Sequence, residues 1–209
     1  MKKYSIAIAA FVIIAGCSQN KNNTSPPENT NADTANFFPV TPFLQGQIQL
    51  LDSLPVTILQ LATFKGKTDS AWLPVNKVKP QLQPFLADTI DKNNLASLFK
   101  ETKFNDQSTE AITFMYDPKN ALPANLGLRR WDVYVDPEKG TVKRIYIVRQ
   151  VKEGNIKATQ QLTWKTGKWA KIVTIKDPND TMPSEIKWVW DLTEEAAVTT
   201  DDKLIQEKK

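Results

Sequence analysis

The chain contains no histidine, one cysteine and seven glycines among its 209 residues, and each shortage removes a class of chemistry. Without imidazole there is no Ser-His-Asp or Cys-His catalysis, no histidine metal ligand and no base that titrates near neutrality. A single thiol, Cys17, cannot build a Cys/His zinc site. The few glycines form neither a Gly-x-Gly-x-x-Gly turn nor a P-loop, and no Asp-x-Asp calcium loop is present. The sequence therefore assigns no catalytic residue, no metal ligand and no cofactor. A long apolar run is missing as well. The stretch from Ile6 to Gly16 spans roughly 16 Å as a helix, about half of a ~30 Å hydrocarbon core, which excludes it as a transmembrane anchor.

What the N-terminus does have is the three parts of an export signal: Lys2 and Lys3, the apolar stretch Ile6 to Ala15, and small residues before a cleavage point. Ile14-Ala15-Gly16-Cys17 resembles the lipobox of bacterial lipoproteins. The resemblance implies cleavage between Gly16 and Cys17, a thioether-linked diacylglycerol on Cys17 and acylation of the new amino terminus, so that membrane lipid is the first partner. A thiolate is the side chain best suited to accept the lipid. One acyl chain holds a protein only marginally, whereas two or three hold it almost permanently. Ser18 stands where many inner-membrane lipoproteins carry aspartate, and Ser18 to Lys21 is not an acidic surface-export signal. The resemblance thus implies an outer-membrane lipoprotein facing the periplasm.

These features divide the chain into a signal peptide (1–16), a lipidated tether (17–36), one globular domain (37–192) and a charged tail (193–209). The tether is rich in Asn, Thr, Ser and Pro and cannot bury enough apolar surface to offset its ordering entropy. Its reach as a flexible chain is roughly 25 Å. Removal of Lys2 and Lys3 lowers the formal charge from +4 to about +2. With the remaining lysines scattered, nothing supports nucleic-acid binding. Five Asp-Ser/Thr-apolar triplets, at Asp33, Asp52, Asp69, Asp88 and Asp180, resemble the acceptor of a general O-glycosylation system found in one Gram-negative phylum. Thr34, in the tether, is the candidate acceptor among them. Asp-Ser and Asp-Thr are also ordinary turn and cap pairs.

Within the domain, the first half has helical spacing and the second half alternates. Phe43, Leu44, Ile48 and Leu51 fall near one face over Thr41 to Leu51, and Val78, Leu82, Phe85 and Leu86 mark a second amphipathic segment broken by Pro80 and Pro84. Asn93 and Asn94 are candidate caps for a short helix holding Leu95, Leu98 and Phe99. Val56 to Phe64 fits strand or helix. Strands are expected over Ile112–Tyr116, Arg130–Val135, Val142–Val151, Ile156–Lys165, Lys168–Lys176 and Ile186–Trp190. Asp136 to Gly140 is a turn in which proline presets φ and glycine takes the left-handed position. The expected fold is α+β, with N-terminal helices packed on a curved antiparallel meander, an order of elements similar to cystatin-like and nuclear-transport-factor-like folds.

Three groups of residues are candidates for function. Trp164 and Trp169 are expected to face each other across a two-residue Thr166-Gly167 loop, and Trp188 shares a side with Trp190, so that these four could form a ligand platform or fill the core. Glu110, Asp117, Asp132 and Asp136 lie near strand ends, where a carboxylate pair could assemble, although turn aspartates are far commoner than catalytic ones. Lys103 to Thr109 is either a functional loop or an Asx-type turn. The sequence reads most simply as a membrane-anchored, non-catalytic lipoprotein whose domain binds an envelope protein or a ligand. A carbohydrate-binding or carbohydrate-processing protein and a lipid or envelope-assembly carrier are the alternatives.

Overall fold

The computed structural model describes residues 37–90, 95–106, 108–154, 156–176 and 182–193. The signal and tether (1–36), including Gly16, Cys17 and Thr34, lie outside them, as do Asn93, Asn94, the Asp180-Thr181 pair and the tail beyond residue 193. All the described residues belong to a compact unit, Ala35–Lys209.

In chain order the elements are α1 (Val40–Leu50), a 3₁₀ turn (Leu51–Ser53), β1 (Ile58–Phe64), β2 (Lys67–Leu73), α2 (Val75–Val78), a 3₁₀ segment (Lys79–Leu86), β3 (Phe99–Asp106), β4 (Ala111–Pro118), β5 (Leu128–Val135), β6 (Val142–Glu153), β7 (Ile156–Lys165), β8 (Trp169–Lys176) and β9 (Ser184–Val189). The nine strands form one antiparallel sheet in the order β2-β1-β9-β8-β7-β6-β5-β4-β3. Strands β3 to β9 are an uninterrupted meander, each paired antiparallel with the next in the chain, and their connections are shorter than a crossover needs. The β1–β2 hairpin closes on the last strand, pairing Leu59 with Val189 and Ala62 with Ile186. Its Lys65-Gly66 turn has φ of 50° and 74°, the two positive values of a type I′ hairpin.

The connection from β2 to β3 must therefore cross the whole sheet, about 38 Å for eight strand spacings. The α2 and 3₁₀ segment begin that crossing. Pro80 and Pro84 prevent a continuous α-helix, and the chain takes the tighter 3₁₀ path while burying Leu82 and Phe85. Helix α1 lies beside it, burying Val40, Thr41, Leu44 and Ile48 at helical spacing. Thr41 Oγ1 donates to the Asp88 carbonyl and accepts from the Ile90 amide, both at 2.9 Å, which fixes the exit of the 3₁₀ segment against α1.

Strand register assigns the core to one face. Val133, Ile145, Trp164, Ala170 and Trp188 form one buried cross-strand row, and Tyr116, Trp131, Ile147, Leu162 and Ile172 another. The helical residues pack into the same cluster. Trp131 stacks on Tyr116 with centroids 4.6 Å apart and meets Phe99 edge-on at 4.8 Å, while Phe85 meets Trp164 edge-on at 5.5 Å.

The molecule is thus mixed α+β, but sheet dominates it. The expectation of several N-terminal helices packed as a group is not met: two short helices, one continuing as 3₁₀, supply the covering layer. Of the three residues expected in a short helix, Leu95 is helical, whereas Leu98 lies in a turn whose amide donates to the Leu95 carbonyl at 2.9 Å and Phe99 opens β3; the cap residues Asn93 and Asn94 lie outside the described residues. Both strands that the periodicity missed, β2 and β3, are the edges of the sheet, where side chains are largely solvated and alternation has little to report. Val56 to Phe64, ambiguous by pattern, resolves as strand from Ile58 because β9 and β2 bracket it.

Candidate functional site

The second face of the sheet carries a different set of side chains. One row across it reads Tyr134, Arg144, Lys165, Trp169, Val189, Leu59 and Trp72. At the β2 end it is apolar: Trp72 is 56% exposed, Trp169 and Leu59 are half-buried, and Val189 between them is buried although it belongs to no part of the main core. Lys187 Nζ sits 5.1 Å from the Trp169 ring and the Arg144 guanidinium 3.8 Å from the Tyr134 ring, so cations cover part of the aromatic surface. Among the described residues strand β2 is an edge of the sheet; Lys67 and Asp69 lie at its start, while its Ser70-Ala71-Trp72 stretch has neither the charges nor the prolines that usually blunt one. The opposite edge, β3, carries Lys100, Glu101, Lys103 and Asp106.

The four-tryptophan platform does not form. Trp164 and Trp188 are core residues, 0% and 1% exposed, and Trp190 packs against Trp164 at 5.1 Å between centroids. Trp164 pairs with Ala170, not with Trp169, which stands opposite Lys165. The turn explains the difference. Lys168 donates its amide to the Lys165 carbonyl at 3.1 Å around Gly167, whose φ of 76° is that of the third residue of a type II turn, so the loop holds three residues instead of two. A shift of one residue sends Trp169 to the other face. Among the described residues the Nε1 atoms of Trp131, Trp164 and Trp188 have no hydrogen-bond partner, a desolvation cost set against the large apolar area each indole buries.

The carboxylates separate into structural roles. Asp132 is buried on the second face and accepts from Arg130 Nε and Nη2 at 3.0 and 3.1 Å, with Asp117 3.8 Å from the same guanidinium. Burial raises the Asp132 pKa against the lowering effect of Arg130. Asp136 accepts from the amides of Glu138 and Lys139, each at 3.0 Å, and the Lys139 bond above all holds its carboxyl below the usual range. Glu110 is a turn residue with φ of 48° whose carbonyl accepts from Lys143. Asp106 accepts from the Ser108 amide and hydroxyl, so the Lys103 to Thr109 stretch is the end of β3 followed by an Asx-type turn. Among the triplets, Ser53 donates to the Leu50 carbonyl at 2.7 Å in the 3₁₀ turn and Asp88 is ion-paired, whereas Ser70 is exposed on β2. No cluster of three or more Asp, Glu, His or Cys suited to a metal occurs among the described residues.

Sequence reasoning missed a cleft of about 690 Å³ where β5, β6 and β7 meet the 124–127 loop. Among the described residues its lining includes Arg129, Arg149, Lys152 and Lys157 against the single carboxylate of Asp88. Arg149, 13% exposed, lies 3.3 Å from Asp88 Oδ2 and donates to the Pro84 carbonyl at 3.0 Å, pinning the end of the 3₁₀ segment to β6. Arg129 is held by Gln150 Oε1, 3.0 Å from Nε and 2.8 Å from Nη2. Gly127 lets the loop close on β6, since a Cβ there would come 3.2 Å from the Gln150 carbonyl oxygen. Gly127→Ala is expected to destabilise the fold by about 1–3 kcal/mol, because the crowded atom is backbone and not a flexible side chain. Urea unfolding checks it, and an unchanged midpoint would show that the loop does not need the close approach. A smaller cleft of about 280 Å³ lies beside the 3₁₀ segment, lined by Gln81, Gln160, Thr174, Ser184 and Trp188 among others.

Among the described residues no helix is long and apolar enough to cross a membrane. Comparison with known proteins finds no matching family model, no similar curated protein and no similar solved structure.

Proposed function

We propose that the chain is a bacterial outer-membrane lipoprotein, anchored through acylated Cys17 on the periplasmic side, whose domain is a non-catalytic binding module for an envelope partner. The anchor rests on the lipobox-like Ile14-Ala15-Gly16-Cys17 and on the polar segment behind it. The binding role rests on one observation: the second face of the sheet presents Trp72, 56% exposed, and the half-buried Leu59 and Trp169 around a buried Val189, next to the Ser70-Ala71-Trp72 stretch of an edge strand. Exposed aromatic surface beside a free edge is suited to receive an extended segment or a flat partner surface.

A carbohydrate reading keeps a specific footing, on different tryptophans from those the sequence suggested. Trp72 and Trp169 share one face three strand spacings apart, about 14 Å, enough for two sugar rings to stack. The carrier reading finds no support in either cleft, both of which have polar side chains in their lining.

The test places a photoreactive benzophenone residue at position 72 or at position 49, an exposed site on α1, in the full-length protein in cells. A discrete adduct from position 72 and none from position 49 is expected. Identical patterns from both sites would sink the assignment of the binding face. A protease-resistant, glycosidase-sensitive adduct would favour the carbohydrate reading over a protein partner.

A further inference from the structure

The basic cleft has a feature that its structural roles leave unexplained. Lys152 and Lys157 lie directly opposite each other in the β6–β7 ladder, and like charges at that spacing repel. The sheet contains a second opposed lysine pair, Lys171 and Lys187, and there each charge is compensated: Lys171 by Glu185 at 3.3 Å and Lys187 by the ring of Trp169. Neither Lys152 nor Lys157 has an ion-pair partner among the described residues, and both are exposed at the cleft. Asp88, the one carboxylate among the described residues of the lining, is already engaged by Arg149. Arg129 adds a positive charge held in place by Gln150 Oε1 on Nε and Nη2 and by the Leu126 and Leu128 carbonyls on Nη1, which leaves one Nη2 N–H uncommitted.

The geometry points to an anion site in this cleft, one that takes a phosphate-bearing ligand between Lys152, Lys157 and Arg129. A phosphate offers several acceptor oxygens and up to two negative charges, matching two unpaired ammonium groups beside a fixed guanidinium charge with one N–H left to donate. The volume, about 690 Å³, admits a group the size of a phosphorylated sugar. Gly127 contributes by holding the loop wall against β6, where any larger residue would meet the Gln150 carbonyl. The phosphate could belong to a soluble compound or to the headgroup of an envelope lipid, and the chemistry at the cleft is the same for both. The site is independent of the anchor at Cys17 and of the aromatic row.

The experiment measures thermal unfolding of the full chain in detergent micelles with sodium pyrophosphate, against sodium chloride at matched ionic strength. At about a hundredfold excess over Kd, pyrophosphate is expected to raise Tm by about 5–10 °C beyond the salt control. In Lys157→Gln the ligand-free Tm should rise, because the repulsion is gone, and the pyrophosphate increment should vanish. Arg129→Gln should also lose the increment without the rise. Competition for pyrophosphate by phosphatidylglycerol vesicles, and not by phosphatidylcholine vesicles, would place the phosphate on a lipid, whereas no competition would place it on a soluble ligand. A pyrophosphate increment no larger than the salt control, or one that survives in both variants, overturns the site.

Discussion

Trp164→Ala is expected to lower stability by about 3–5 kcal/mol, and Trp169→Ala by no more than about 1 kcal/mol. The two residues are five positions apart on the same hairpin, yet one is fully buried and the other half-buried on the opposite face. Trp164 fills the space between Ile145, Ala170, Phe85 and Trp190, so its truncation leaves a cavity beneath the 3₁₀ segment, which Pro80 and Pro84 make slow to collapse inward. Trp169 rests on Val189 and under Lys187, and its loss removes mainly surface contacts. In urea the first variant should shift the midpoint strongly with little change in slope. Equal losses would mean that the hairpin pairs Trp164 with Trp169 after all.

Cys17→Ser is expected to move the protein almost completely from the membrane fraction to the soluble fraction, or to leave it as an unprocessed precursor. Serine keeps the size and removes the thiolate, and without lipid nothing else in residues 17–36 is apolar enough to hold a bilayer. The domain itself should be unaffected, since its cooperative unfolding depends on the core between the sheet and the two helical segments. Fractionation combined with thermal unfolding separates the two effects. Full retention in the membrane of a serine variant that has lost residues 1–16 would assign the attachment to something other than acylation.

How much of this was legible depends on where a residue lies in the sheet. Central strands announce themselves: Trp131 and Val133 alternate with Asp132 because one face is packed and the other half-wet, and β5 lies where that alternation puts it. Edge strands give no such signal, and Lys67 to Leu73, exposed almost throughout, has no buried face for its pattern to report. The face of Trp169 hung on a single residue of loop length, which periodicity does not report and only the position of Gly167 within the turn decides. The docking of β1 on β9 joins residues more than 120 positions apart, and no local pattern encodes it. The basic cleft gathers Asp88, Arg129, Arg149 and Lys157 from four separate stretches of chain, so scattered lysines and arginines became a site only on folding.

The carboxylates show the same limit from the other side. Asp132, a candidate by its place on a strand, turned out to be buried against Arg130, and the burial that raises its pKa comes from neighbours on β4 and β6. With no histidine anywhere in the chain, the polar chemistry of this domain is a matter of arginine, lysine and carboxylate pairs, most of which hold loops and strands in place. Left over among the described residues are Trp72 and Trp169 on the second face and the opposed Lys152–Lys157 pair, and these carry the two proposals made above.

The account rests most heavily on acylated Cys17, and the intact mass of the N-terminal peptide from detergent-extracted membranes tests it directly. The prediction is a peptide that begins at Cys17 and carries a diacylglyceryl group, with a further acyl chain on its amino terminus. A peptide that runs on through Gly16, or an unmodified Cys17 at the mature terminus, would contradict it.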